Sequence, residues 1–213
     1  MKLLKPKRLR PGDTVAVVSL SSGMLGEPEF IHKYHLAKER LEGQYGLRVV
    51  PMPNALRGRE YLDRHPEARA EDFMDAFRDD SIRAVISSIG GDDTVRLLPY
   101  VDFDVLRNNP KIFTGFSDTT TNHFMLAKLG LPSFYGQAFL PDVCELAEDM
   151  LPYSRRYLEE LLATRRIKEI TPSPLWYDNR TDYSPAALGT EMPSHSSAGG
   201  NRPYFSQRAG DSA

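Results

Sequence analysis

"IFTGFSDTTTNHFMLAKLG", residues 112–130, decides the fold. Ile112, Phe113 and Thr114 are β-branched or aromatic and read as a short buried strand. Gly115, Phe116 and Ser117 turn the chain, and an amphipathic segment leaves through Asp118 and three threonines. Strand, tight turn and helix in direct succession make the joint of a βαβ unit.

The same joint recurs on either side. Upstream, "TVAVVS" (14–19) and "IRAVISSIGG" (82–91) are β-rich, the second a near-continuous apolar run of the kind buried on both faces of a parallel sheet. "LRVVPMP" (47–53) and "LPSFYGQ" (131–137) add two shorter strands. Between them, residues 29–46 carry Phe30, Ile31, Tyr34 and Leu41 at helical spacing, with Gly46 placed as a C-cap. A second helix opens near Pro66 with Phe73, Met74 and Phe77 on one face. Residues 94–110 contain helical turns broken by Pro99 and Pro110. Residues 142–166 read as helix interrupted at Pro152. This alternation predicts an α/β fold, a doubly wound and mainly parallel sheet with helices on both faces. After Ile170 there is no Val or Ile, and Ser, Gly, Pro, Asn and Asp dominate. The expected organisation is therefore an α/β domain over 1–165, then a linker and disordered tail over 166–213.

In an open α/β sheet, ligands bind beyond the C-terminal ends of the strands. Three loops lie there: Ser19–Gly23, Ile89–Thr94 and Gly115–Asp118. If the sheet is parallel they converge on one edge. Ser117 then fits a nucleophile elbow, with its hydroxyl held out of the sheet at a helix N-terminus. The N–H of Asp118 could face a developing oxyanion, with a second donor from the Gly90-Gly91 backbone. Two features temper that reading. Thr119 stands where the elbow motif G-x-S-x-G ends in glycine, and Ser and Asp are also ordinary helix caps. "GGDDT" (90–94) has a rival reading as a phosphate-binding loop of lipid and NAD kinases, but Asp93 stands where that pattern wants glycine and would repel phosphate.

None of the five histidines makes a convincing base for Ser117. His32 and His35 lie one turn apart on the first helix, His65 precedes the second, and His195 falls in the tail. His123 sits nearly two turns beyond Ser117 and is expected to point away from it. The single cysteine, Cys144, excludes an internal disulfide framework; it reads as a buried structural thiol and fits a reducing cytoplasm. No Cys/His spacing suits zinc, and neither a metal nor a cofactor is expected. Net charge is −2, which argues against nucleic acid or anionic membrane as partner. No apolar run approaches the roughly 18–20 residues needed to span a bilayer. The basic start "MKLLKPKRLRPGD" lacks an apolar stretch behind it and is not a secretory signal.

Three blocks carry a family resemblance: "LRPGDTVAVVSLSSG" (9–23), "AVISSIGGDDTVRLLPYVDFDVLRNNPKIFTGFSDTT" (84–120) and "LGLPSFYGQAFLPDV" (129–143). With the lone Trp176 of "PSPLW", they make residues 5–176 resemble the serine LD-carboxypeptidases, which include microcin C immunity proteins. The resemblance implies a flavodoxin-like N-terminal domain and amide hydrolysis by a Ser-His-Glu triad without metal. Ser117 would be the nucleophile, and the backbone amides of Asp118 and Gly91 the oxyanion hole. Substrates would be cytoplasmic murein peptides or peptidyl-nucleotide antibiotics, and the assembly a homodimer. The family's Glu and His belong to a C-terminal domain many tens of residues beyond the Trp176 region, here missing or only begun. The chain is thus expected to be C-terminally truncated and a poor enzyme alone, since a serine hydroxyl is a weak nucleophile without a base. A shortened or frameshifted gene with an out-of-frame tail is the preferred origin, and a half that needs a partner chain the other. The competing function is a non-catalytic peptide- or nucleotide-binding module. Without the C-terminal domain, apolar surface is expected to lie uncovered near Leu175-Trp176 and on the late helices, with self-association or poor solubility as the result.

Overall fold

The computed structural model describes residues 3–164 and 169–197. Five strands form one sheet: β1 (Thr14–Val18), β2 (Arg48–Pro51), β3 (Ile82–Ser87), β4 (Ile112–Gly115) and β5 (Phe134–Tyr135). Their order is β2-β1-β3-β4-β5, and every pairing is parallel. That order is the flavodoxin-like one, whose switch point lies between β1 and β3. The helices are α1 (Ile31–Tyr45), α2 (Gly58–Arg64), α3 (Pro66–Arg78), α4 (Phe103–Asn108), α5 (Thr120–Lys128) and α6 (Pro152–Thr164).

The double winding follows from strand periodicity. Alternate residues of a strand face opposite sides of the sheet. In β1, Val15 and Val17 enter one core with Tyr34, Ala37 and Leu41 of α1 and Leu158 and Leu161 of α6. Ala16 and Val18 enter the other, with Phe73 and Phe77 of α3, Leu106 of α4 and Leu126 of α5. β4 divides the same way: Ile112 to the first core and Phe113 to the second. Burial on both faces is why β1 and β3 carry no polar alternation.

The sequence reading does not include α2 (Gly58–Arg64), and two further stretches differ from it. The α-helix expected over 142–151 is absent: a π-helical turn spans Phe139–Val143, a turn and bends follow over 144–151, and α6 begins at Pro152. The reason is Arg40, a buried side chain of α1. Its guanidinium donates to the carbonyls of Val143 (2.6 Å), Glu145 (3.0 Å), Ala147 (3.1 Å) and Glu148 (3.3 Å). Carbonyls aimed at one cation cannot also close i→i+4 bonds. Pro152, with no N–H to lose, starts the helix instead of interrupting it.

The other is the late segment. Strands β6 (Leu175–Tyr177) and β7 (Ser194–Ser196) pair antiparallel. Trp176 stacks on His195, ring centroids 4.1 Å apart. The stretch between borrows packing from the main domain: Arg180 pairs with Glu145 at 2.6 Å, and the Gly189 N–H donates to Leu146 O at 2.7 Å. The part of the expected tail over 198–213 lies outside the described residues. No helix among those described is long and apolar enough to cross a membrane.

Candidate active site

The loops after β1, β3 and β4 meet on one edge, and hydrogen bonds tie them together. Asp118, from the third loop, is the knot. Its Oδ2 accepts from Ser21 Oγ of the first loop at 2.6 Å, and from Thr94 N (2.8 Å) and Oγ1 (2.6 Å) of the second. Burial pushes this carboxyl up, but the bonds from Ser21, Thr94 and the Asp93 backbone outweigh it and hold it below the usual aspartate range. Asp93 braces the same loops from behind. Arg69, fully buried on α3, donates to both Asp93 oxygens (2.7 and 3.1 Å) and to the carbonyls of Leu20 and Ser21. Arg96 adds a bond to Asp93 Oδ2 at 2.8 Å. Burial again acts upward on Asp93, and the two guanidiniums hold it low. The "GGDDT" loop therefore commits its second carboxylate to Arg69 and Arg96.

Ser117 stands at the rim, exposed. Its φ of +62° makes it the one non-glycine residue with positive φ among those described. A left-handed non-glycine residue costs roughly 1–3 kcal/mol and persists only where its surroundings impose it. Here Thr120 Oγ1 donates to Ser117 O at 2.5 Å, and Ser117 N donates to the Tyr135 hydroxyl at 3.1 Å. The Asp118 N–H lies in the first helical turn, where no intrahelical acceptor exists.

Glycines permit the close packing around the elbow. A Cβ on Gly90 would sit 2.9 Å from Ser117 Cβ, 3.0 Å from its Oγ and 3.1 Å from Asp118 N. A Cβ on Gly91 would instead meet the side chain of Ser21. Gly90 thus faces the hydroxyl, and Gly91 faces the first loop. At Gly115 a Cβ would meet Ser87 Cβ at 2.8 Å and Thr119 Cγ2 at 2.9 Å. The space that the elbow motif reserves with its last glycine is here supplied by its first, which is how Thr119 is tolerated.

His123 is no base for Ser117. It lies buried on α5 with Nε2 3.0 Å from Gly115 O and Nδ1 2.7 Å from Ser133 Oγ. A carbonyl only accepts, so Nε2 carries the proton and Nδ1 accepts from the Ser133 hydroxyl. Burial pulls its pKa down, which keeps the ring neutral. Both nitrogens are committed to structure. His195 is engaged with Asp178 and Trp176, and His65 with Glu67. Cys144 is fully buried and its thiol pushed far up by desolvation, which leaves it inert. Among the described residues no group of His, Cys, Asp or Glu could hold a metal ion. A groove of about 440 Å³ beside Leu9, Pro11, Tyr45 and Leu47 opens at the opposite, N-terminal ends of β1 and β2. It is remote from these loops and is not this site.

Sequence reading names Ser117, Asp118 and the glycine pair as candidates, and does not name Ser21, Thr94, Arg69 or Tyr135, which the fold brings against them. Arg69 left one trace: it shares the apolar face of α3 with Phe73, Ala76 and Phe77, where an arginine needs a buried partner.

Comparisons with known proteins bear on the family and the fold. A family model, the LD-carboxypeptidase N-terminal domain, matches residues 15–136. The probable murein peptide carboxypeptidase of Bacillus subtilis is 33% identical over 159 residues, which are 74% of this chain and 47% of that protein. The structure of an MccF-like protein from Streptococcus pneumoniae in complex with AMP is 52% identical, with a TM-score of 0.83 over 88% of this chain and 55% of that one. The microcin C7 self-immunity protein MccF in complex with aspartyl sulfamoyl adenosine is 25% identical, with a TM-score of 0.70 over 90% of this chain and 58% of that one. The chain spans about half the length of the relatives it matches.

Proposed function

The chain belongs to the LD-carboxypeptidase family, and from that premise we propose that it supplies the nucleophile half of a serine amidase site. Ser117 attacks the acyl carbon; the N–H of Asp118 and the backbone of the Gly90-Gly91 loop, Gly91 N–H included, stabilise the oxyanion. The ligand is a small peptide or peptidyl-nucleotide; the relatives that support this are a probable murein peptide carboxypeptidase and MccF-type proteins in complex with AMP or aspartyl sulfamoyl adenosine. The observation that carries this reading is Ser117 itself: exposed, left-handed, at the C-terminal end of β4, and facing Gly90. A polypeptide accepts such strain at a functional turn more readily than at a cap.

The proton acceptor is the missing part. Among the described residues His123, His65 and His195 are committed elsewhere and no imidazole is hydrogen-bonded to Ser117 Oγ, so we propose that hydrolysis by this chain alone is slow. Loss of a triad member costs several powers of ten and leaves only the catalysis that the oxyanion hole and binding provide. This favours a second reading, a peptide- or nucleotide-binding module without turnover.

One experiment separates them. Binding of AMP and of aspartyl sulfamoyl adenosine is followed by calorimetry, and cleavage of the latter and of a murein tetrapeptide by chromatography. The expected result is binding together with slow cleavage that Ser117→Ala abolishes. Binding with no cleavage assigns the chain to the second reading. Cleavage that survives Ser117→Ala removes Ser117 from the mechanism.

A further inference from the structure

The left-handed turn at Ser117 needs a partner for its N–H, because that group points neither into the sheet ladder nor along α5. The partner is the phenol of Tyr135, at 3.1 Å. Tyr135 is an unusual residue to find there. It ends a two-residue edge strand, and 63% of its surface is open to solvent. Packing alone gives such a ring little reason to hold one position, yet three contacts fix it. In the parallel register Gly115 pairs with Tyr135. The next residue, Gly136, donates its N–H to Gly115 O at 3.1 Å. The Tyr135 ring lies against the His123 imidazole, centroids 5.5 Å apart, and His123 rests edge-on against Phe113 at 5.2 Å.

His123 links these contacts into one device. Its Nε2–H bonds Gly115 O, the last carbonyl of β4, and its Nδ1 accepts from Ser133, next to β5. One buried neutral ring thereby clamps the ends of β4 and β5 and gives Tyr135 a wall to lean on. The phenol oxygen then meets the N–H of the strained residue.

We propose that Tyr135 is a positioning residue for Ser117: its hydroxyl accepts the Ser117 N–H and so holds the serine in the left-handed conformation that presents Oγ to a bound acyl group. The inference rests on the reading of Ser117 as nucleophile, and it concerns the turn, not the acid–base chemistry. Removing the hydroxyl while keeping the ring leaves the His123 contact intact, so the fold survives and only the elbow loosens.

The test uses the full chain and Tyr135→Phe, with two readouts. The first is amide hydrogen exchange of Ser117 by NMR. A lost bond of ordinary net strength raises that rate about tenfold, while amides of β1 and β3 stay unchanged. The second is labelling of Ser117 by a fluorophosphonate probe. The maximal rate is expected to fall about tenfold at an unchanged half-saturating concentration, since binding groups are untouched. Unaltered exchange and unaltered labelling in Tyr135→Phe would overturn the proposal. If the unmodified chain never labels, the nucleophile reading fails, and accelerated Ser117 exchange would still establish the Tyr135 bond.

Discussion

Asp118 shows how one residue serves the site through two different atoms. Its N–H faces the elbow, and its carboxylate faces away, binding Ser21 and Thr94. The carboxylate is thus a brace, and its charge has a pH signature. Its folded pKa lies below the ordinary value of 3.8, so the stabilisation it contributes is present above that value. It is lost as pH falls through the folded pKa. The expected outcome is a melting-temperature gap between the wild type and Asp118→Asn that is open at pH 7 and closes as pH falls past 3.8 and through the lower folded pKa. A gap independent of pH would mean that the carboxylate's charge plays no part. Thr94 and Ser21 were invisible as partners in the sequence, because their bonds join residues that lie 24 and 97 positions from Asp118.

At the level of elements, Arg40 explains why "DVCELAEDML" is not a helix despite its helical pattern. Helix propensity is worth a few tenths of a kcal/mol per residue. One buried guanidinium that gathers four carbonyls outweighs it, and nothing local to residues 142–151 encodes that cation. Arg40→Ala would leave those carbonyls unpaired beneath α1. The expected loss is roughly 3 kcal/mol or more, read as a fall in the denaturant midpoint. A midpoint within error of the wild type would show that the segment holds its path without Arg40. The strands behave oppositely. β1, β3 and β4 were legible because burial on both sheet faces imposes an unbroken apolar run, which is a local signal.

For the whole molecule, the sheet order places the loops after β1, β3 and β4 side by side and leaves apolar surface around them. Phe124 on α5 is 72% exposed, and Val95, Leu98 and Tyr100 are exposed on the 3₁₀ segment after β3. Leu175 and Leu188 are exposed as well, and we propose that a second copy of the chain covers part of this apolar surface. Self-association is the expected behaviour, with a mass above that of one chain by light scattering at micromolar concentration. A sharp monomer peak would sink it. The segment over 169–197 has no core of its own, yet it is not simply solvated. Arg180 and Glu145 meet with both side chains nearly buried, and a charge pair so desolvated holds only when both members are present.

The sequence alone determined the α/β class, the five strands of the parallel sheet and the joint where Ser117 sits, because periodicity, turn chemistry and helix capping act over a few neighbouring residues. It also determined which residue types reach that joint: a serine, a carboxylate and two glycines. The tertiary structure decided the rest: that Gly90 and not Gly91 faces the hydroxyl, that His123 spends both nitrogens on strand ends, and that Tyr135, Arg69 and Arg40 hold the loops. Those outcomes depend on contacts between residues far apart in the chain, where the free energy of a buried hydrogen bond or ion pair overrides local preference.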